Sequence, residues 1–295
     1  MIRSVVPACH RFILLAFFFC SALSAHSQQA LFSREIKFAQ YLQDKELFRE
    51  ARYVTNRIDT TQLDRTQKDT LFYFSGWAAY NSKQLDTAVG KLLRVSPRFS
   101  LYNKSRFFAA YCLTYLARQP EAQQVLQGQQ LGDSTEIEMR AFQLAGMALL
   151  RRDYNTFEQY QRGFTYGSYV LEKEEKNMAA YYKGLRSYKS KSPFLAGVYS
   201  AVLPGAGKFY AGKKRQGIAA FLPVISLAAV TYEAYRKGGV RSARFIGFGS
   251  LFSVFYIGNI WGSVLSVKVK EKEFYRAYDN KILFDLHIPL RNLYN

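Results

Sequence analysis

Gly205, Gly207 and Gly212, with Lys208 among them, are the residues that look most ready for ligand chemistry, because a glycine-rich loop can cradle a phosphate on backbone N–H groups. The spacing refuses it. A Walker loop would need Gly at Val202 and Ser or Thr at Phe209, and a dinucleotide fingerprint would need Gly at Tyr210. Nucleophilic and metal chemistry have little material. The 295-residue chain holds three Cys and three His, and Cys9, His10, Cys20 and His26 all fall within the first 27 residues. If that stretch is removed, Cys112 and His287 remain, so intramolecular disulfides are excluded and a Cys/His zinc site or a triad lacks its residues. The expectation is no enzyme, no cofactor and no metal. A lone acid, Glu233, at the edge of an apolar run is the remaining candidate; its nearness to Arg236 favours an interfacial position over intramembrane work. His287 receives no role and is expected in solvent.

Export comes first along the chain. Arg3 and Arg11 flank an apolar run from Phe12 to Leu23, and Ala25-His26-Ser27 offers small residues to a signal peptidase. The run reaches only about 18 Å as a helix, short of a hydrocarbon core of about 30 Å. Residues 1–27 are therefore expected to be a secretory signal peptide. Phe17, Phe18 and Phe19 stand where a lipobox requires small residues, so Cys20 is not a lipidation site. The formal charge of +19 falls to +17 with the loss of Arg3 and Arg11. With 49% hydrophobic and 21% charged residues, the chain is neither disordered nor collagen-like. Export and the scatter of Lys and Arg along helix faces also argue against nucleic-acid binding.

Residues 28–191 carry helical periodicity, as in Phe38, Tyr41 and Leu42 or Phe108, Tyr111, Cys112 and Tyr115. Small residues stand 12 apart at Ala39 and Ala51, at Gly76 and Ala88, and at Ala110 and Ala122, the last two pairs offset by 34. Antiparallel helices approach closely only where the crossing side chains are small. On these residues the region resembles the tetratricopeptide repeat family, whose units are 34-residue helical hairpins with this pattern. Gly76 to Pro97 is the best single copy. Asp133-Ser134-Thr135 marks a further helix start, and Gly146 opens a fourth unit whose matching position, Glu158, breaks the small-residue rule and puts its second helix in doubt. The resemblance implies a concave face for a protein partner. The aromatics Phe72, Tyr73, Phe74, Trp77, Tyr80, Phe107, Phe108, Tyr111 and Tyr115 are expected to pack between hairpins rather than touch ligand. The helical stretch Phe157–Ser190 reads as the end of the stack, turning basic at Lys183, Arg186, Lys189 and Lys191.

Two apolar runs follow, Gly217–Tyr235 and Phe245–Val267, each long enough to span a bilayer and joined by the basic Arg236–Arg244 connection. Gly258, Gly262 and Ser266 form a four-spaced small stripe suited to close helix packing in lipid, and hence to oligomers. Leu203, Pro204, Gly205, Gly207, Tyr210 and Gly212 match the Leu-Pro-Gly-x-Gly-x-x-Tyr-x-Gly turn of the two-transmembrane domain family, which the segment Ser192–Asp279 resembles. Lys208 stands where relatives often carry Gln or His. Physically, Pro204 ends a short apolar helix and the glycines permit a tight reversal, so the turn Pro204, Gly205, Gly207, Tyr210, Gly212 is expected to be structural.

The expected architecture is all-α: a signal peptide (1–27), a tetratricopeptide-like domain (28–191), a two-transmembrane hairpin (192–278) and a tail (279–295). The tail's Ile282–Leu290 alternates and reads as strand-like. Ten apolar residues ending at Pro204 are too few to span, which gives two crossings. Yet Lys208, Lys213, Lys214, Arg215 on one flank and Lys268, Lys270, Lys272, Arg276 on the other outnumber the loop's four basic residues, which favours three. The expected function is a non-enzymatic scaffold of a bacterial inner membrane, its repeats in the periplasm holding a protein partner. The competing expectation makes the hairpin a working subunit of a translocation, insertion or transport assembly.

Overall fold

The computed structural model describes residues 29–294; the expected signal peptide, residues 1–27, lies outside the described residues. All regular structure among them is helical, with no strand. Two compact units divide the chain, residues up to Lys176 together with those from Asp285, and Asn177–Phe284. This division by contacts lies before the expected 191/192 boundary, and of the expected tail (279–295) the part from Asp285 belongs to the first unit.

Eight helices build most of the first unit: α1 (residues 29–44), α2 (Phe48–Arg57), α3 (Arg65–Asn81), α4 (Leu85–Leu92), α5 (Tyr102–Tyr115), α6 (Gln119–Gln127), α7 (Ser134–Leu150) and α8 (Tyr154–Gln161). Each odd-numbered helix pairs with the next, and successive pairs stack. Side chains start several of them. Asp64 and Gln67 form a reciprocal capping box at α3, while Asp133 and Asp153 accept from Thr135 and Thr156 N–H at α7 and α8.

The four hairpin turns are copies of one device. Glu46, Lys83, Ala117 and Arg152 all adopt left-handed φ, between 59° and 63°. In each turn the next N–H bonds to the carbonyl five residues back: Leu47 to Leu42 (2.8 Å), Gln84 to Ala79 (2.9 Å), Arg118 to Leu113 (2.8 Å) and Asp153 to Ala148 (2.9 Å). These are the 6→1 bonds of a Schellman motif, which consume carbonyls that the helix end leaves unpaired.

The small pairs sit at the crossings. Ala39, Ala51, Ala88, Ala110 and Ala122 are fully buried, and a Cβ on Gly76 would come within 2.8 Å of Leu92 Cγ. The fourth hairpin corrects the expectation in register. Its second helix exists, and its 12-spaced positions are the fully buried Ala145 and Phe157, one residue before Gly146 and Glu158. Phe157 replaces a small residue, and its ring meets Phe164 edge-on at 6.4 Å.

In the second unit, the later part of α9 (Glu172–Ser187) is followed by α10 (Pro193–Val202), α11 (Ala206–Tyr210), α12 (Lys214–Gly238) and α13 (Ala243–Tyr294). α12 and α13 are long and apolar enough to cross a membrane. α13 also corrects the tail: it stays helical to Tyr294 instead of becoming extended. Ile282, Leu286 and Leu290, the four-spaced subset of the alternating series, are buried, whereas Phe284 is exposed.

Candidate functional site

The first unit carries a groove between α1, α3 and the end of α13. α1 contributes Gln40, Gln43 and Asp44, and α3 contributes Tyr73, Phe74, Trp77, Tyr80 and Asn81, around a cavity of about 670 Å³. Four of the aromatics expected to be packing between hairpins therefore line an opening. Aromatic stacking holds the shelf: Trp77 stacks on Tyr73 at 6.3 Å and on Tyr80 at 5.4 Å, and Phe108 meets Trp77 edge-on at 4.8 Å. Lys104 Nζ lies 4.5 Å above the Trp77 ring.

The far wall is the chain's own end. His287 and Arg291 of α13 line the cavity. His287 is not in solvent: its ring stacks on Tyr111 at 5.0 Å, and its Nε2 is hydrogen-bonded to the Tyr80 hydroxyl. Lys104 Nζ donates to the Tyr294 carbonyl (2.8 Å), and the Tyr294 hydroxyl donates to Glu136 Oε1 (2.7 Å). A Cβ on Gly146 would come 2.6 Å from Leu286, so this glycine makes room for α13 and not for α8. The last turns of α13 thus lie against α3, α5 and α7. Burial, reinforced by the charges of Arg291 and Lys83, pulls the His287 pKa down to about 4, which keeps the ring neutral at pH 7.

Burial pushes the Cys112 thiol up to about 12, and the side chain is fully buried. No group of three or more Cys, His, Asp or Glu able to hold a metal occurs among the described residues.

The glycine turn belongs to the second unit. Gly205 has φ +84°, and a Cβ there would strike the Gly217 carbonyl oxygen; a Cβ on Gly207 would strike the carbonyl oxygen of Ala196. Polar side chains clamp the turn. Asn259 Oδ1 accepts from Gly205 N–H (3.1 Å), Ser200 Oγ accepts from Gly207 N–H (2.9 Å), and Ser200 and Ser263 hydroxyls are 2.6 Å apart. Tyr210 holds the entry, its hydroxyl accepting from Ser192 N–H (3.2 Å). Gly212 has φ +84° with open space around it.

The remaining candidates separate. Within the chain, Asn259, Ser263 and Ser266 are buried, whereas the two glycines of the small stripe meet little. Gly258 faces open space, Gly262 faces the Lys208 side chain at 3.4 Å, and Ser266 bonds back to the Gly262 carbonyl (2.7 Å). Glu233 pairs with Lys237 at 2.6 Å, both exposed near the end of α12. The seating of α13 in the groove and the Asn259 clamp escaped sequence reasoning. The four-spaced Ile282, Leu286 and Leu290 could have signalled the first; the second joins residues 54 apart, which no local pattern encodes. No protein-family model, curated protein or solved structure matches this chain.

Proposed function

We propose that the chain is a non-enzymatic, membrane-anchored scaffold of a bacterial cell envelope, with tetratricopeptide-like hairpins that receive a protein partner and a two-transmembrane hairpin that holds them at the inner membrane, facing the periplasm. The observation that carries the reading is the outward apolar surface of the hairpin. Only 11% of the most apolar stretch of α12 and 22% of that of α13 is buried, which a water-soluble core helix would not tolerate. Leu222, Ile225, Val254, Phe255 and Trp261 are among the exposed side chains.

Two crossings are supported over three by connectivity. Residues before Lys176 and after Asp285 share one compact unit, held by the His287, Leu286 and Tyr294 contacts, so the segment between them crosses an even number of times. Arg236–Arg244 then faces the cytoplasm. The Glu233–Lys237 pair favours an anchor over a working intramembrane acid, because both groups sit at the solvated end of their helix.

Topology is tested with single cysteines. Cys112 is buried and unreactive, so Tyr169→Cys and Val240→Cys, both at exposed positions, report alone once the leader is cleaved. A membrane-impermeant maleimide added to spheroplasts should label Tyr169→Cys directly and Val240→Cys only after permeabilisation. Equal labelling of both would rule out the crossing. Capture from detergent-solubilised membranes with the full chain should then recover a partner that Trp77→Ala loses.

A further inference from the structure

Lys208 projects from α11 toward a cavity of about 360 Å³ between α12 and α13, walled by Ala219, Ala220, Pro223, Val254 and Gly258. It is the only charged residue on that lining. Neighbouring lysines are engaged: Lys191 Nζ donates to the Tyr210 carbonyl (2.6 Å), and Lys213 pairs with Glu273 (3.1 Å). Among the described residues, Lys208 Nζ has neither a hydrogen-bond acceptor nor a carboxylate partner. Asn259 bonds to Gly205 N–H and the Ser200 carbonyl and makes no hydrogen bond to Lys208. The small stripe gains a use here. The stem of Lys208 lies over Gly262, and Gly258 leaves the cavity floor open.

A half-buried ammonium without a partner is costly in apolar surroundings and calls for an anion. Apart from Asn259 the other lining residues are apolar, so the anion must belong to a molecule with an apolar body. Pro223 adds a second requirement. It lacks the N–H that would bond to the Ala219 carbonyl, so the wall also presents an acceptor without its helical donor.

We propose that this cavity binds an anionic glycerophospholipid: the headgroup phosphate on Lys208 Nζ, a headgroup hydroxyl toward the Ala219 carbonyl, and the glycerol and upper acyl carbons against Ala220, Pro223 and Val254. The proposal rests on the membrane reading above. In that topology the basic flanks, against the positive-inside tendency, face away from the cytoplasm, and a phosphate ligand gives Lys208 a reason to be there.

The test uses the full processed chain in a neutral maltoside detergent, with lipid retention followed by native mass spectrometry. Phosphatidylglycerol should be retained in preference to phosphatidylcholine, whose headgroup carries no donor and no net charge. Lys208→Gln should weaken retention about tenfold while Lys208→Arg keeps it. Gly258→Leu fills the cavity with Lys208 intact and should also release the lipid; Lys214→Gln, on the same flank, should not. Retention unchanged in Lys208→Gln or Gly258→Leu overturns the site, as does an equal loss in Lys214→Gln, which would mean general attraction to basic residues. Displacement by millimolar inorganic phosphate overturns the lipid assignment in favour of a free phosphate. A chain that stays monodisperse without detergent would instead defeat the membrane reading, a result visible before any lipid is added.

Discussion

The two units distribute polarity in opposite directions. In the hairpin stack, Phe107, Phe108, Leu113, Leu126 and Phe142 are fully buried and polar side chains cap helix ends, as water requires. In the second unit the buried side chains include Ser200, Asn259 and Ser263, while Phe194, Leu222 and Val254 face outward. Polar groups inside and apolar groups outside is the arrangement that holds helices together when the surroundings offer no hydrophobic drive. The turns show the same contrast. Both units use the Schellman reversal: at Gly212 in the second unit, where Lys213 N–H bonds to the Lys208 carbonyl at 2.9 Å, and at non-glycine residues in the first. A packed core can hold Glu46, Lys83, Ala117 and Arg152 in a left-handed conformation at some cost, whereas the turn of the apolar unit relies on glycine itself.

The most severe way to break this contrast is Gly207→Ala. The new methyl meets backbone oxygen that cannot move aside, and a loss of about 4 kcal/mol is expected in detergent, read as protease sensitivity of residues 192–279 with the repeat fragment still resistant. Leu92→Ala should do comparable harm on the other side, about 3 kcal/mol by cavity formation, seen as a lower thermal midpoint of the repeat unit. Asn259→Ala leaves Gly205 N–H without its acceptor and should cost about 2 kcal/mol, again confined to the second unit. Ala117→Gly sharpens the comparison in the opposite direction: relieving the left-handed alanine should stabilise the stack by about 1 kcal/mol, and no gain would mean that the turn carries no strain.

The smallest effect is a pH dependence. His287 has a folded pKa depressed to about 4 against about 6.5 when unfolded, so docking of α13 favours the neutral ring. Its contribution is fully present above pH 6.5 and is lost as pH falls toward 4. Protection of the amides of residues 285–294, corrected for the slower intrinsic exchange at low pH, should fall between pH 7 and pH 5, and His287→Gln should flatten that change.

Legibility in the sequence followed the range of the interaction. Ala39/Ala51, Gly76/Ala88 and Ala110/Ala122 were readable because each pair meets within one hairpin, where 12-residue spacing and geometry are locked together. The fourth pair slipped by one because Gly146, the smallest residue of its helix, stands next to the true crossing residue Ala145, and because Phe157 fills a slot that other hairpins leave to alanine. The tail misled because every second residue from Ile282 to Leu290 is apolar, and such a series contains a helical subset. The turn's glycines were legible from their types, since φ +84° at Gly205 and the close backbone approach at Gly207 are local demands. Their clamp and the lysine cavity were not, because Asn259 and Gly258 come to the turn from half a hundred residues away.

The seating of residues 285–294 against α3, α5 and α7 bears on how the protein is made. Synthesis is vectorial, so the repeats leave the ribosome long before the helix that lies in their groove. Throughout that interval the slot over Gly146 and the aromatic ledge around Trp77 stand open to any chaperone or client in the same compartment. In the finished chain Leu286 fills the space over Gly146, while the ledge around Trp77 keeps an open groove with His287 and Arg291 as its far wall.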